Sequence, residues 1–293
     1  MDADLGLAAQ LAANGLIAGS LYALLGVSWG MIFATTRIFH FAHALTLAVA
    51  TYAAVVVVDT ARLGLPLGFV TAAAAGCLFG LLVEIAVYRP LRRANATQLN
   101  VFLASLGFLI AGESVLLIVF GPEARTLPGF PLEGIALGPV AFTTIEALWA
   151  AASWALVLAL LAWLRLTRWG RAIRAVASNP ELAQCVGVDP PRVFVLVFAV
   201  GSALAGIGGA LIALRDTASP FMGVQPVLAA FIAVFLGGIG SIPGAIVGGV
   251  VLGLAENMGG LLLPGHWQGV IAFVVLFLVL VFRPSGLLGA AAR

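Results

Sequence analysis

The sequence predicts an all-α polytopic membrane protein with about eight to nine transmembrane helices. Of its 293 residues, 62% are hydrophobic and only 9% are charged, whereas a soluble domain carries about 25% charged residues. The apolar residues form long blocks: residues 99–121 contain one charge, Glu113, and residues 147–164 contain none. Stretches of about 18 or more apolar residues are typical of membrane-spanning helices. Several such stretches in one chain indicate a membrane protein rather than a large soluble core.

The apolar blocks define the predicted spans, which form a single transmembrane domain over residues 1–293. The segment 226–263 is about twice the length that one spanning helix needs. Its middle, residues 237–244, is rich in Gly and Pro, which interrupt helices. This segment is therefore either two short spans that meet at a tight turn or a re-entrant loop. The predicted spans are 8–34, 41–58, 65–87, 99–120, 146–164, 191–214, 226–240, 244–263 and 267–282.

The distribution of arginine orients these spans. The chain has no lysine, and eleven of its arginines fall on one side of the predicted membrane. Three arginines fall on the other side, namely Arg62, Arg125 and Arg215. Cytoplasmic loops carry an excess of basic residues, so the N-terminus is predicted to be external and the C-terminus cytoplasmic. Because the arginines cluster at span ends, they indicate contact with membrane lipid and give no reason to expect a nucleic-acid partner.

Small residues recur at helical spacing within several predicted spans. Such rows allow helix backbones to approach closely in lipid, so we predict tight helix packing at each row. The rows are Gly76 with Gly80, Ser202 with Gly206 and Ala210, Gly244 with Gly248, and Gly249 with Gly253.

Few polar residues are candidates for chemistry or for a solute path. His40 and His43 share one face of a helix start, but a metal site needs a third ligand, and none is evident beside them. We therefore predict no metal or other cofactor, and a structural or path-lining role for the two histidines. Glu113 lies well inside a span, and its carboxylate faces either the solute path or another helix. Glu84 and Glu256 lie nearer span ends, where they are expected to reach interfacial water.

The interrupted segment is the other candidate for the solute path. Irregular backbone at membrane depth survives only inside protein or beside a water-filled cavity. We therefore predict that the path runs beside Gly237, Gly238, Gly240 and Ser241 and beside the start of the second span. At Gly240 we expect space for a hydrogen atom only.

The longest predicted cytoplasmic loop, residues 165–192, has the pattern of a folded element. Residues 168–177 alternate basic and apolar faces, as an interfacial helix does. At the far end of the loop, Asp189 and Pro190 are expected to start the next span as a helix cap and a first helical residue.

The tip of this loop is predicted to be a short, protruding helix of about seven residues, from Pro180 to Val186. Asn179 can cap this helix, with Pro180 at its first position and Glu181 in its first turn. Gly187 occupies the place of a left-handed C-terminal cap. The simpler alternative is an amphipathic loop without a partner, but such a loop has little need for two successive caps.

These residues resemble the branched-chain amino-acid type of permease of ATP-binding-cassette importers. The matching segments occur along nearly the whole chain, and their order and spacing are fairly specific. They are Asn14-Gly15-Leu16, 19–24, Phe41-Ala42-His43, 88–92, 170–187, 237–241 and Pro243-Gly244.

The chain departs from this family at the start of the second span. The family usually has Asn-Phe-Ala-His-Gly followed by an acidic residue. Here His40 replaces the Asn, Ala44 replaces the Gly and Leu45 replaces the acid. The family's members import hydrophobic amino acids, urea or amides, and aromatic acids.

The resemblance implies a division of labour among several proteins. The family's permeases lie in the bacterial cytoplasmic (inner) membrane and pair with a second permease subunit, two cytoplasmic ATPases and an extracytoplasmic solute-binding protein. This chain has no Gly-x-x-x-x-Gly-Lys-[Ser/Thr] phosphate loop, so it is expected to be a permease subunit and not an enzyme. The coupling contact with the ATPase is expected at the tip helix and its flanks, at Arg171, Asn179, Pro180, Glu181, Leu182, Val186 and Gly187.

The main alternative is a self-sufficient secondary carrier or channel for a small solute. Carriers often show internal repeats and several ionisable residues within the membrane. Here Glu113 is the one charge well inside a predicted span, and no repeat rises above what the apolar composition alone would produce. An intramembrane enzyme would need a ligand set that the sequence does not show. The sequence therefore favours the importer permease.

Overall fold

The computed structural model describes residues 2–128, 130–261 and 267–289, and within them the chain is almost entirely helical. Seven of the described helices are long and apolar enough to cross a membrane, and two shorter apolar helices accompany them. The predicted all-α polytopic membrane fold is therefore confirmed. The helices are α1 Asp2–Thr36, α2 His43–Val55, α3 Leu65–Val83, α4 Arg89–Arg93, α5 Gln98–Phe120, α6 Thr144–Leu166, α7 Arg168–Ser178, α8 Pro180–Cys185, α9 Pro190–Arg215, α10 Val224–Gly237, α11 Ile242–Met258 and α12 Gln268–Phe282.

Each predicted span coincides with one of these helices to within a few residues. Two of the helices continue beyond their last α-helical residue. Two π-helical turns, Val56–Thr60 and Glu84–Tyr88, continue α2 and α3 without a break. The end of the predicted span 244–263 and the C-terminal Arg293 lie outside the described residues.

The chain divides into two compact units. Unit 1 comprises Met1–Gly30, Phe130–Val157 and Leu228–Arg293, and unit 2 comprises Met31–Gly129 and Leu158–Val227. The single permease domain over residues 1–293 stays a prediction.

In unit 1, α1 packs on α11 through glycines. A Cβ atom added at Gly15 would lie 2.9 Å from the Cα of Leu254, and one at Gly19 would lie 3.0 Å from the Cα of Val250. The backbone of α1 likewise faces Gly249 and Gly253. This row of small residues is therefore a close helix contact, as predicted.

The interrupted segment of unit 1 is a helical hairpin. Helix α10 ends at Gly237, α11 begins at Ile242, and Gly248 packs against the backbone of Ala233. The turn between them needs glycine, since Gly238 and Gly240 have φ angles of 113° and 84°, which side chains disfavour. The described part of this segment is thus two helices joined by a tight turn, and both the two-span form and the re-entrant form of the hairpin stay predictions.

The turn of this hairpin is closed by a side-chain cap and by the C-terminal segment. The Ser241 hydroxyl accepts a hydrogen bond from the Gly244 N–H at 3.0 Å. The N–H groups of Leu287 and Leu288 donate to the carbonyls of Leu236 and Gly237, each at 2.8 Å. The last carbonyls of α10, which a helix end leaves without partners, are thus satisfied.

Unit 1 also contains a β-hairpin that the sequence did not predict. Strands β1 (Gly134–Leu137) and β2 (Val140–Thr143) pair antiparallel. The side-chain amide of Gln10 in α1 donates to the Ala141 carbonyl at 2.8 Å and accepts from the Ala141 N–H at 2.7 Å. The hairpin is therefore fixed against the start of the chain.

Unit 2 is built on close contacts of α9 with α2 and α3. Gly76 of α3 lies against the backbone of Ser202, and Gly206 of α9 lies against the backbone of Ala72. A Cβ atom added at Gly209 would lie 2.9 Å from the Leu47 carbonyl oxygen of α2. The small-residue rows predicted in these spans are therefore close packing contacts.

Replacement of Gly76 by leucine tests this packing. Gly76→Leu places a side chain where the Ser202 backbone lies, and it should lower the free energy of unfolding by about 1–3 kcal/mol. Gly107→Leu is the matched control, because Gly107 is exposed on α5 and an added Cβ meets nothing within 4 Å. Thermal unfolding of both variants in one detergent compares them. Equal destabilisation would contradict the packing account.

Candidate functional site

The loop between α6 and α9, in unit 2, is a folded helical element. Thr167 caps α7, because its hydroxyl accepts a hydrogen bond from the Gly170 N–H at 3.1 Å. Gly170, Ile173 and Val176 are buried, whereas the arginines of α7 are exposed. Gly170 lies against the backbone of Leu164, which leaves no room for a side chain at that position. The amphipathic helix predicted over 168–177 is thus present and packed through its apolar face.

The short tip helix α8 is capped as predicted. The Asn179 side chain accepts hydrogen bonds from the N–H groups of Glu181 and Leu182, at 2.9 Å and 3.0 Å. Pro180 is the first helical residue, and Gly187 has a φ angle of 83°. The helix ends at Cys185, one residue earlier than predicted.

The predicted side-chain cap at the start of α9 was wrong. Asp189 occupies the cap position, but its carboxylate accepts no hydrogen bond from the helix backbone. It pairs instead with Arg192 at 2.9 Å, and both side chains are largely exposed. The helix still begins with Pro190, as predicted.

The tip helix presents apolar side chains to solvent. Leu182 is 64% exposed and Val186 is 77% exposed, whereas Ala183 is buried and anchors the helix. Glu181 and Arg171 are exposed as well. Exposed apolar side chains on a rigidly capped helix suit insertion into a groove of a partner protein.

His40 and His43, also in unit 2, are completely buried, and their rings are 5.2 Å apart between centroids. The Tyr88 hydroxyl donates to the Ser105 hydroxyl at 2.8 Å, so its oxygen accepts from Nδ1 of His40, also at 2.8 Å. The Ala42 N–H donates to the same Ser105 oxygen at 3.0 Å. These hydrogen bonds therefore link the start of α2 to the π-helical turn that follows α3 and to α5.

Aromatic side chains enclose this polar cluster. The His40 ring lies 5.0 Å from the Phe198 ring and 5.4 Å from the Tyr88 ring, between centroids and edge to face. Burial, with a smaller contribution from His43, lowers the pKa of His40 well below its usual range, because an apolar site disfavours the charged form. His40 thus acts as a neutral hydrogen-bonding residue. Within the described residues, no group of three or more His, Cys, Asp or Glu side chains could hold a metal ion.

The remaining residues predicted for the solute path lie in different units. Glu113 is 8% exposed on α5 of unit 2, and no hydrogen bond or ion pair joins it to another described residue. Just before it, Gly112 packs against Leu45 of α2. Gly237, Gly238, Gly240 and Ser241 form the hairpin turn of unit 1.

Two expectations about these regions were wrong. An added Cβ atom at Gly240 meets nothing within 4 Å, so its φ angle rather than lack of space requires glycine. Glu84 and Glu256 do not reach water freely, since they are 1% and 8% exposed. Glu84 pairs with Arg92, and Glu256 accepts a hydrogen bond from the Tyr22 hydroxyl at 2.8 Å.

Sequence reasoning missed the partners of His40. Tyr88, Ser105 and Phe198 lie 48 or more residues from His40 in sequence, and no local spacing relates them. Tyr88 lies within one of the segments that carry the family resemblance, and this was the one signal in the sequence that could have indicated a role for it.

The described helices define a polytopic membrane protein, which carries a buried polar cluster and a capped tip helix. The sequence profile of the family described as "Branched-chain amino acid transport system / permease component" matches residues 11–280. The chain belongs to this family.

Individual relatives agree with this assignment. The chain is 31% identical to the high-affinity branched-chain amino acid transport system permease protein LivH of Escherichia coli K12, over 94% of each chain. It is also 31% identical to BraD of Pseudomonas aeruginosa, over 96% of this chain and 95% of that one.

A solved structure shares the fold. PsaBC from Streptococcus pneumoniae, determined in complex with a Fab, superposes with a TM-score of 0.54 at 13% identity. The match covers 93% of this chain and 91% of that chain.

Replacement of Tyr88 by phenylalanine tests the buried network. Tyr88→Phe leaves His40 and Ser105 without their shared partner, and it should cost about 1–2 kcal/mol of unfolding free energy. Tyr52→Phe is the matched control, since Tyr52 is as deeply buried but its hydroxyl has no hydrogen-bond partner among the described residues. Thermal unfolding should show a loss for Tyr88→Phe only. If Tyr52→Phe is equally damaging, the network does not stabilise this cluster.

Proposed function

We propose that the chain is the membrane-spanning subunit of an ATP-driven importer for branched-chain or other hydrophobic amino acids, or related small solutes. The observation that carries this proposal is the rigid, capped helix α8 with its exposed apolar side chains. A helix of this kind can receive force from a separate motor protein, and family membership supports the class of solute.

The geometry of α8 suits the transmission of force. Asn179 fixes the helix at its start, and Gly187 reverses the chain at its end. The Val188 N–H donates to the Ala183 carbonyl at 3.0 Å, which holds the reversed chain against the helix. Leu182 lies on the helix, and Val186, four positions on, is the residue that follows its last turn. A displacement of these residues is therefore passed to α7 and α9 rather than absorbed by a loose loop.

Charged residues around the tip can complete the contact. Glu181 lies beside Leu182, and Arg171 is exposed on the preceding helix α7. Neither side chain forms an ion pair with another described residue. Both are therefore available to opposite charges of a cytoplasmic ATPase.

The proposal includes further subunits. Two cytoplasmic ATPases would supply energy, a second permease subunit would complete the pore, and an extracytoplasmic binding protein would deliver the solute. The named relatives are permeases of branched-chain amino-acid systems, which supports such a solute here.

For the solute path we retain the predicted residues as separate contributions of the two units. Unit 2 contributes His40, His43 and Glu113, of which Glu113 is an unpaired carboxylate among the described residues. Unit 1 contributes the turn from Gly237 to Ser241. A carboxylate inside an apolar helix is costly and usually functional, which supports the inclusion of Glu113.

For the membrane orientation we propose an external N-terminus and a cytoplasmic C-terminus in the inner membrane. Contacts within each unit support the relative placement of the loops. Gln10, near the predicted external end of the first span, bonds to Ala141 in a loop that is predicted to be external. Arg37 donates to the Ala177 carbonyl at 3.3 Å, and both stretches are predicted to be cytoplasmic.

Leu182→Asp tests the proposed coupling surface. A carboxylate buried at the contact with the ATPase should cost several kcal/mol of binding free energy. In the lone subunit Leu182 is exposed, so expression and membrane insertion should survive. Co-purification of the ATPase and solute uptake should both be lost.

Ala94→Asp is the matched control, because Ala94 is exposed on the same predicted cytoplasmic side but outside the tip. It should leave both readouts unchanged. If Leu182→Asp also leaves ATPase binding and uptake intact, α8 is not the coupling surface.

Thiol labelling tests the orientation. Native Cys185 is exposed on α8, so an impermeant maleimide should label it only after cells that express the lone chain are permeabilised. With Cys185→Ser and Cys77→Ala, a single Leu137→Cys in the β-hairpin should be labelled in intact cells. The reverse pattern would overturn the proposed topology.

A further inference from the structure

An open cavity of about 410 Å³ lies in unit 2 beside the starts of α7 and α9. Its basic lining residues are Arg168 and Arg192, and its aromatic one is Trp169. The one acid in the lining is Asp189, which pairs with Arg192. Of the predicted coupling residues, Gly187 lines this cavity, whereas Leu182 and Val186 do not.

The charge of the cavity favours an anion. Arg168 forms no ion pair or hydrogen bond with another described residue, and Arg192 is 80% exposed despite its contact with Asp189. Guanidinium groups present several donors in a planar fork that matches the oxygens of a phosphate group. Two arginines against one carboxylate leave a net positive lining.

The position of the cavity indicates where the phosphate comes from. Arg168 follows the end of α6 at Leu166 by two residues, and Arg192 is the third residue of α9. Both α6 and α9 are long and apolar enough to cross a membrane, so the cavity lies where two spans reach the membrane surface.

The side chains beside the cavity are of the kind found at the membrane surface. Trp169 is 42% exposed and Leu166 is 80% exposed. Tryptophan is enriched at the boundary between lipid and water, and basic pockets between spans on the cytoplasmic side bind lipid headgroups.

We propose that this cavity binds the phosphate group of an anionic phospholipid, held by Arg168 and Arg192 and flanked by Trp169. The bound headgroup would fix α7 at the membrane surface beside the coupling helix. The inference uses the proposed membrane orientation but does not depend on ATP-driven import, because it follows from the cavity, its charges and its place at the ends of two spans.

Binding of dioctanoyl phosphatidylglycerol to the purified full chain, followed by native mass spectrometry, tests this proposal. Arg168→Gln should weaken binding about fivefold, and Arg168→Lys should restore most of it. Asp189→Asn should strengthen binding, because it removes the acid and no helix cap depends on it. Arg93→Gln is the control, since Arg93 is exposed on the same predicted side but outside the cavity.

The probes separate the possible sources of the anion. Dioctanoyl phosphatidylcholine should bind more weakly than phosphatidylglycerol, and inorganic phosphate should not displace the lipid at equal concentration. Displacement by inorganic phosphate would overturn the lipid assignment. Unchanged lipid binding in both Arg168→Gln and Asp189→Asn would overturn the site itself. So would loss of ATPase co-purification in Arg168→Gln with lipid binding intact, since the cavity would then be a protein contact.

Discussion

Close contact between helix backbones at glycine is the interaction on which both units depend. In lipid, association of helices draws little on the hydrophobic effect and relies on van der Waals packing at small residues. Unit 1 uses Gly15 and Gly19 of α1 for this purpose, and unit 2 uses Gly76 and Gly206 of α3 and α9. The same contacts hold the ends of these helices in place. In unit 2 the tip helix α8 precedes α9, and Tyr88 of the buried polar cluster ends the π-helical turn after α3, so the contact between α3 and α9 helps to place both.

The features that local chemistry dictates were predictable from the sequence. The length of the apolar stretches predicted the spans, and the glycines and proline of 237–244 predicted the position of the hairpin turn. The Asn179 cap and the left-handed Gly187 also appear as predicted, because a cap involves only residues a few positions apart. Asp189 shows the limit of such reasoning. Its residue type suits a helix cap, but its carboxylate forms an ion pair with the neighbouring Arg192 instead.

The features that depend on distant residues were not predictable. The partners of His40 come from other helices, and the hydrogen bonds between Gln10 and Ala141 join residues 131 positions apart. Glu84 and Glu256 appeared able to reach water because of their positions near span ends. Their burial depends on Arg92 and Tyr22, whose placement only the packed fold determines.

We propose that this chain moves solute only as part of an ATP-driven assembly. The most direct test is uptake of radiolabelled leucine by vesicles that contain the chain with its ATPase, second permease and binding protein. We predict uptake that requires ATP and every subunit, and none by vesicles that contain the chain alone with an ion gradient. Uptake by the lone chain, driven by the gradient and indifferent to ATP, would contradict the claim.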